Sequence, residues 1–221
     1  MGVTLWRQKV AGSENVTEQL LEYQSLQNQL DLHQGIPYSP NWSAEADFIQ
    51  LIVDACLRDR PKQILECSSG LTTLMLARCC QINGEGRVIS LEDGLQYADN
   101  TRSYIDRYGL GEFADVVHAP LQDRIVDEMF YSWYAADAIP EAGIDMLVID
   151  GPSGFIQKHS RYPVLPVCYP RLADRCAIYL DDAAREDEQA IVAMWLSHYP
   201  ALRHEYQATT RGCSILLHGR S

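Results

Sequence analysis

Apolar and polar positions along this chain switch repeatedly between a strand-like and a helix-like rhythm. The runs "QILEC" (63–67), "RVISLE" (87–92), "ADVVHA" (114–119), "IDMLVID" (144–150) and "CAIYLDD" (176–182) have the length and content of buried strands. Helical spacing fills the intervals. "SAEADFIQLIVDACLRDR" places Phe48, Ile49, Ile52, Ala55 and Cys56 on one inner face, with Ser43 as its expected N-cap and Pro61 as its stop. "TTLMLARCC", the segment from Gln96 to Tyr108 that ends at Gly109, and "REDEQAIVAMWLSHY" read as further helices. The rhythm then changes. "ALRHEYQA" and "CSILLHG", joined by "TTRG", form a hairpin pattern. Five strand–helix units and a closing hairpin predict an α/β fold: a doubly wound, seven-stranded, mostly parallel sheet with a C-terminal antiparallel hairpin.

Residues 1–43 have a different character and are expected to form an N-terminal helical extension to a domain spanning 44–221. "VTEQLLEYQSLQNQL" lines up Val16, Leu20, Tyr23 and Leu30 on one side of a helix, and Gly35, Pro37 and Pro40 break it. That stripe has to pack on the main domain or on a second subunit; a homodimer would form through this helix. The length of 221 residues supports one sizeable core. A net charge of −12 argues against a nucleic-acid partner, which draws on basic patches. No apolar run reaches a membrane span and the first residues lack a signal-peptide apolar region, so the expectation is a cytoplasmic protein without a membrane partner. Seven cysteines without a CxxC pair read as buried free thiols.

In a sheet of this kind ligands lie beyond the carboxyl ends of the strands. Four of the five parallel strands end in a carboxylate: Glu66, Glu92, Asp150 and the pair Asp181–Asp182. Burying such groups unpaired is expensive, so together they mark a site rather than packing. The first turn, "ECSSGLTT", supplies backbone N–H groups, two serines and the single permissive glycine Gly70 at a helix start, and Glu92 follows Gly70 at a spacing suited to a cofactor ribose. A diphosphate needs more glycine for close approach, and an acid at Glu66 would repel it. A cationic nucleoside carrying an amine and a sulfonium suits the turn better than NAD.

The motifs "ILECSSGLTTLMLA", "VISLED", "IDMLVIDGPSG", "RYPVLP" and "IYLDDAAREDE", in this order, resemble class I S-adenosylmethionine-dependent methyltransferases, and among them the group called methyltransferase family 24. The resemblance runs from Ser39 to the C-terminus and implies a Rossmann-like fold with S-adenosyl-L-methionine as cofactor. By position it implies that Glu66, Cys67, Ser68 and Gly70 surround the methionine part, with Thr72 and Thr73 opening the helix. Glu92 would accept from the ribose hydroxyls beside Asp93, Ala119 and Pro120 would wall the adenine, and Asp150 would lie near methyl transfer. Ser68 stands where the family has glycine.

The reaction implied is transfer of a methyl group to a small-molecule acceptor, with O-methylation favoured by the aspartate trio. Asp150, Asp181 and Asp182 offer oxygen ligands suited to Mg²⁺ or a similar divalent cation. The opposing expectation has Asp182 capping the next helix and Asp181 paired with Arg161 or Arg185. His159, in the loop after the fourth strand, is the candidate base, with Asp150 and Asp181 as its catalytic partners. Tyr131, Trp133 and Tyr134 either roof an acceptor pocket or pack. Two other readings stay open: an NAD-dependent oxidoreductase, which lacks its G-x-G-x-x-G here, and a non-catalytic cofactor-binding or assembly module.

Overall fold

The computed structural model of the chain describes residues 21–135, 137 and 139–219. The chain is helical over residues 21–29 (α1). There follow α2 (Ala46–Asp59), β1 (Gln63–Cys67), α3 (Leu71–Asn83), β2 (Arg87–Glu92), α4 (Leu95–Arg107) and β3 (Ala114–His118). Next come β4 (Leu121–Val126), β5 (Met129–Tyr134), β6 (Ile144–Ile149), α5 (Val164–Cys168), β7 (Leu172–Leu180), α6 (Glu186–His198), β8 (Arg203–Gln207) and β9 (Cys213–His218).

Seven strands form one sheet in the order β3-β2-β1-β6-β7-β9-β8. Pairing is parallel from β3 through β7, and antiparallel for β7 with β9 and β9 with β8. The doubly wound sheet and its closing hairpin are therefore present as the hydrophobic rhythm predicts. Alternation along the central strands divides the interior in two. Ile64, Val88, Val116, Met146, Val148 and Tyr179 face one core, shared with α2 and α3. Leu65, Cys67, Leu91, Leu147, Ile149 and Leu180 face the other, shared with α5 and α6.

Helix α3 is buried nearly all round, from Leu71 to Cys80, because α1 and its following turn lie over it. Tyr23, Leu26, Leu30 and Leu32 belong to the same core as Phe48 and Leu74, and Arg78 Nε donates to the Leu30 carbonyl at 2.8 Å. The Tyr23 hydroxyl donates to the Ala44 carbonyl at 2.7 Å. The described part of the predicted apolar stripe is thus spent inside the chain's own core, while Val16 and Leu20 lie outside the described residues. The seven cysteines are free and buried, as expected.

Two local expectations change. Ser43 is not the cap of α2: that position is Glu45, which makes no side-chain cap bond, and the Ser43 hydroxyl instead accepts from the Ser39 N–H at 2.9 Å. The stretch between β3 and β6 holds a separate antiparallel hairpin, β4–β5, where no strands were expected. Its turn places Asp127 at φ 47° and Glu128 at φ 66°, the two left-handed residues that a tight hairpin needs. Trp133 and Tyr134 of that hairpin are buried in the second core.

Leu30 is wholly buried at the seam between α1 and the domain. Leu30→Ala should lower unfolding free energy by about 2–5 kcal/mol, the cost of a core cavity. Denaturant unfolding should remain a single transition, because α1 and the sheet share one core.

Candidate functional site

The turn after β1 is shaped by its backbone. Ser68 has φ 95° and Gly70 φ 145°, both in territory that disfavours a side chain. Ser68 N–H donates to the Leu91 carbonyl at 2.9 Å, and Ser90 Oγ donates to the Ser68 carbonyl at 2.5 Å, so β2 pins the turn in this conformation. This position therefore has a glycine-like backbone, and serine occupies it under strain. Gly151, in the loop after β6, comes close to the same turn. A Cβ there would lie 2.3 Å from Tyr134 Oη and 3.0 Å from Ser68 Cβ. Only glycine permits that approach.

Above the turn is a cavity of about 730 Å³ at the carboxyl ends of the parallel strands. Of the candidate residues singled out from sequence, Ser68, Gly70, Thr72, Glu92, Asp93, Tyr134, Asp150, Arg161, Asp182 and Arg185 line it. A Cβ added to Gly70 meets nothing within 4 Å, so the space over the first turn is open and can receive a ligand. Glu92 is nearly buried. Its Oε2 accepts from the Ser69 N–H at 2.9 Å and from the Ser69 hydroxyl at 2.8 Å, and its Oε1 accepts from the Gly94 N–H at 3.1 Å. Burial raises its pKa, against these hydrogen bonds. Oε2 is saturated by its two bonds, and Oε1 keeps a further acceptor direction for a ligand hydroxyl.

Other expected residues stand apart from the wall. Glu66, Cys67, Thr73, Ala119, Pro120, Asp181 and His159 are not among the lining residues. Glu66 is sealed beneath the turn, where it accepts from the hydroxyls of Thr72 and of Thr73, the latter at 2.6 Å. Thr73 Oγ1 in turn accepts from the Gly70 N–H at 3.0 Å. Glu66 thereby ties the end of β1 to the start of α3. Burial pushes its carboxyl up to about 7. Ala119 holds the strand ends instead: its N–H donates to the Glu92 carbonyl at 2.7 Å. His159 lies off the cavity, with its N–H on Asp187 Oδ2 at 2.7 Å and its Nε2 3.5 Å from Asp187 Oδ1.

The ends of β6 and β7 carry a charged cluster around Arg161. The buried guanidinium donates through Nη1 to the Asp181 carbonyl at 3.0 Å, and through Nη2 to the Asp150 carbonyl at 2.6 Å. Nη2 also reaches Asp150 Oδ1 at 3.2 Å and Asp182 Oδ2 at 2.8 Å. Arg185 Nη2 lies 2.8 Å from Asp182 Oδ1, while Arg185 and Arg161 approach Glu188 at 3.9 and 3.8 Å. Asp182 is an ion-pair partner and not a helix cap, since α6 begins at the N-cap Arg185. The Asp181 carboxylate is buried and neither oxygen has a hydrogen-bond partner. One oxygen each of Asp150, Asp181 and Asp182 fall within 4.8 Å of one another. Burial, then Asp150 and Asp182, raise the Asp181 pKa; burial raises that of Asp150, against Arg161.

Several lining residues escaped sequence reasoning. Ser69, rather than Ser68, holds Glu92, a role the doubled serine of "ECSSG" signals only once Glu92 is placed. Tyr97, Asn100 and Thr101 line the cavity from α4. Trp42 precedes α2, and Arg211 lies in the closing hairpin, donating to Glu45 Oε1 at 2.7 Å and to the Ser43 carbonyl at 3.4 Å. Neither belongs to a strand-end motif, so no local pattern marks them.

The family model described as a methyltransferase domain matches residues 65–183. Among solved structures, the chain superposes on the S-adenosylhomocysteine-bound methyltransferase PaMTH1 of Podospora anserina at a TM-score of 0.64 and 14% identity, covering 90% of this chain and 88% of that one. For the O-methyltransferase TomG of Streptomyces achromogenes, solved with S-adenosylmethionine, the TM-score is 0.59 at 14% identity, with 88% and 86% covered. An O-methyltransferase of Bacillus cereus gives 0.58 at 16% identity, with 94% and 96% covered. These likenesses establish the fold. No curated protein matches the chain by sequence.

Two outcomes follow from the first turn. A buried acid with a raised pKa holds its proton more tightly when folded, so its contribution is complete below about 4.5 and is lost as pH rises to about 7. Glu66→Gln should leave stability near pH 4 little changed and raise it relative to wild type by up to about 3 kcal/mol above pH 7. Urea unfolding across pH 4–8 reads this difference, and a parallel pair of curves would refute it. Ser68→Gly should stabilise the protein by about 1 kcal/mol through relief of the left-handed serine, measured as a higher unfolding midpoint.

Proposed function

The chain belongs to the S-adenosylmethionine-dependent methyltransferase family whose domain model spans more than half its length, and on that premise we propose that it methylates a hydroxyl group of a small molecule with a divalent cation held by Asp150, Asp181 and Asp182. The observation that carries the finer reading is Asp181. A buried carboxylate with no donor on either oxygen, beside two more aspartates, has the donor chemistry of a hard-cation site. Its oxygens suit Mg²⁺ better than a soft metal, because no sulfur or imidazole joins them. O-methyltransferases among the similar structures accord with an oxygen acceptor.

The open space over Gly70 and the spare acceptor direction of Glu92 Oε1 fit the cofactor. S-adenosylmethionine, when bound, supplies an electrophilic methyl group on a sulfonium. The residues of this chain align and dehydrate the reacting groups. Glu92 fixes the ribose hydroxyls, with Ser69 and Gly94 holding its carboxylate still. Ser68, Gly70 and Gly151 set the backbone walls between the β1 turn and the β6 loop. Asp150, on the cavity wall at the end of β6, would orient the acceptor's hydroxyl group beside the cation site. Arg161 keeps Asp150 and Asp182 oriented. A cation would use Asp181 with Asp150 and Asp182, sharing the Asp182 carboxylate with Arg161 and Arg185, and would lower the pKa of a ligated hydroxyl.

Calorimetry with S-adenosylhomocysteine, then with Mg²⁺ added to that complex, tests both parts. S-adenosylhomocysteine should bind, and Mg²⁺ should bind to wild type with affinity at least about 10-fold above that of Asp181→Asn, since losing a ligand costs no less than losing a supporting group. Methyl transfer to a panel of hydroxylated compounds should stop with chelator and return with Mg²⁺. Transfer indifferent to chelator, together with an Asp181→Asn variant altered only in melting temperature, would show the aspartates to be structural.

A further inference from the structure

The cavity wall has a β2 side and a β6–β7 side. Glu92, Gly94 and Tyr97 belong to the β2 side, where a Cβ on Gly94 would lie 2.6 Å from Tyr97 Cδ2. On the β6–β7 side the wall includes Trp42, Phe155 and Ile156, from two loops far apart in sequence. Both loops flank the aspartates. Phe155 and Ile156 follow Asp150 within one loop, and the Trp42 segment is fastened by Arg211, which donates to the Ser43 carbonyl at 3.4 Å and stands 4.0 Å from Asp182 Oδ1.

These apolar side chains are left in water: Trp42 is 66% exposed, Phe155 94% and Ile156 41%. Single exposed apolar residues are commonplace, but three on one side of one cavity mark a surface that a ligand covers. The rest of the fold does not need them there, since both cores close without them. Phe155 and Ile156 have no polar tip. A flat aromatic ring buries both faces and gains from stacking on Trp42 and Phe155, more than a sugar that presents only its C–H face.

Resting on the methyltransferase reading above, we infer that the acceptor is a planar, aromatic hydroxyl compound, held by Trp42, Phe155 and Ile156 beside Asp150. The platform sets which molecule presents its hydroxyl, and the aspartates meet that hydroxyl. The three residues act on acceptor affinity and not on the cofactor, because Glu92 and Ser69 lie on the other side.

The test titrates the complete protein with S-adenosylhomocysteine, then titrates that complex with dihydroxynaphthalene or with methyl glucoside, by calorimetry. Dihydroxynaphthalene should bind and methyl glucoside should not. Trp42→Ala and Phe155→Ala should each weaken dihydroxynaphthalene about 3- to 10-fold, the range of one aromatic contact, and leave S-adenosylhomocysteine affinity unchanged within about twofold. Trp42→Phe should restore most of the loss. Both side chains are solvent-exposed, so the variants should fold as wild type, checked by their melting temperatures. Absence of dihydroxynaphthalene binding to a complex that does hold S-adenosylhomocysteine would overturn this inference and leave the methyltransferase reading standing. Equal affinity in all variants, or preferential binding of methyl glucoside, would overturn it likewise. Failure of wild type to bind S-adenosylhomocysteine would remove the reading on which it rests.

Discussion

One guanidinium organises the functional end of this sheet. Arg161 is 3% exposed and lies between the ends of β6 and β7, bonded to the backbone carbonyls of Asp150 and Asp181 and to the carboxylates of Asp150 and Asp182. A buried charge is costly unless its neighbours replace water, and these do. Arginine suits the position because its planar fork reaches two strand ends at once; lysine offers a single point of charge. The surrounding carboxylates keep it protonated despite burial, raising its pKa. Its Nε has no partner, so the packing is fixed by the two terminal nitrogens.

That arrangement explains why the aspartates can sit so close together. Arg161, Arg185 and Arg211 stand among Asp150, Asp182 and Glu188, with Glu45 also on Arg211, and the three guanidinium groups offset most of the negative charge there. Asp181 is the carboxyl left over. Burial and its two aspartate neighbours favour its neutral form, and a divalent cation would favour the charged one. The same carboxyl therefore has two stable states, set by what occupies the space beside it. An acidic protein of net charge −12 supplies such a site without help from basic surface, because the neutralising arginines come from three different loops.

Much of this was legible in the chain. Strand identity followed from short apolar runs, and the strand ends announced themselves because carboxylates interrupt apolar sequence at Glu66, Glu92, Asp150 and Asp181. The distinction between these acids was not legible. Glu66 and Glu92 lie near the ends of adjacent parallel strands, but Glu66 pairs with Ser90, so Glu92 stands two residues further out, on the cavity wall, while Glu66 lies under the turn. The hydroxyl pair Thr72 and Thr73 holds the Glu66 carboxyl inward across the start of α3. The hairpin β4–β5 escaped notice for a different reason. Its turn uses Asp127 and Glu128 at positive φ, where asparagine or glycine would have signalled a turn, so "LQDRIVDEMFYSWY" carries no punctuation. Trp42 and Arg211 were invisible because their place in the site depends on tertiary packing between chain segments some 170 residues apart in effect, as the Arg211–Ser43 bond shows by its separation of 168.

The strain at Ser68 and the close approach at Gly151 have a common topological origin. Winding proceeds outward from β1 to β2 and β3, then returns to β6 on the other side of β1, so the loops after β1 and β6 leave neighbouring strands in opposite directions. Such a switch point opens a crevice between the two loops. It also brings their first residues together at the base of the crevice, where Asp150 N–H donates to the Cys67 carbonyl at 3.1 Å. Immediately beyond that bond the chains must part within one residue each. Ser68 does so with a left-handed backbone, and Gly151 does so by having no side chain to meet Tyr134 and Ser68. The cavity is thus a consequence of sheet order, and the two irregular residues are what that order demands of its floor. A serine at the first of them adds a hydroxyl to the cavity wall at the cost of backbone strain, which glycine there would avoid.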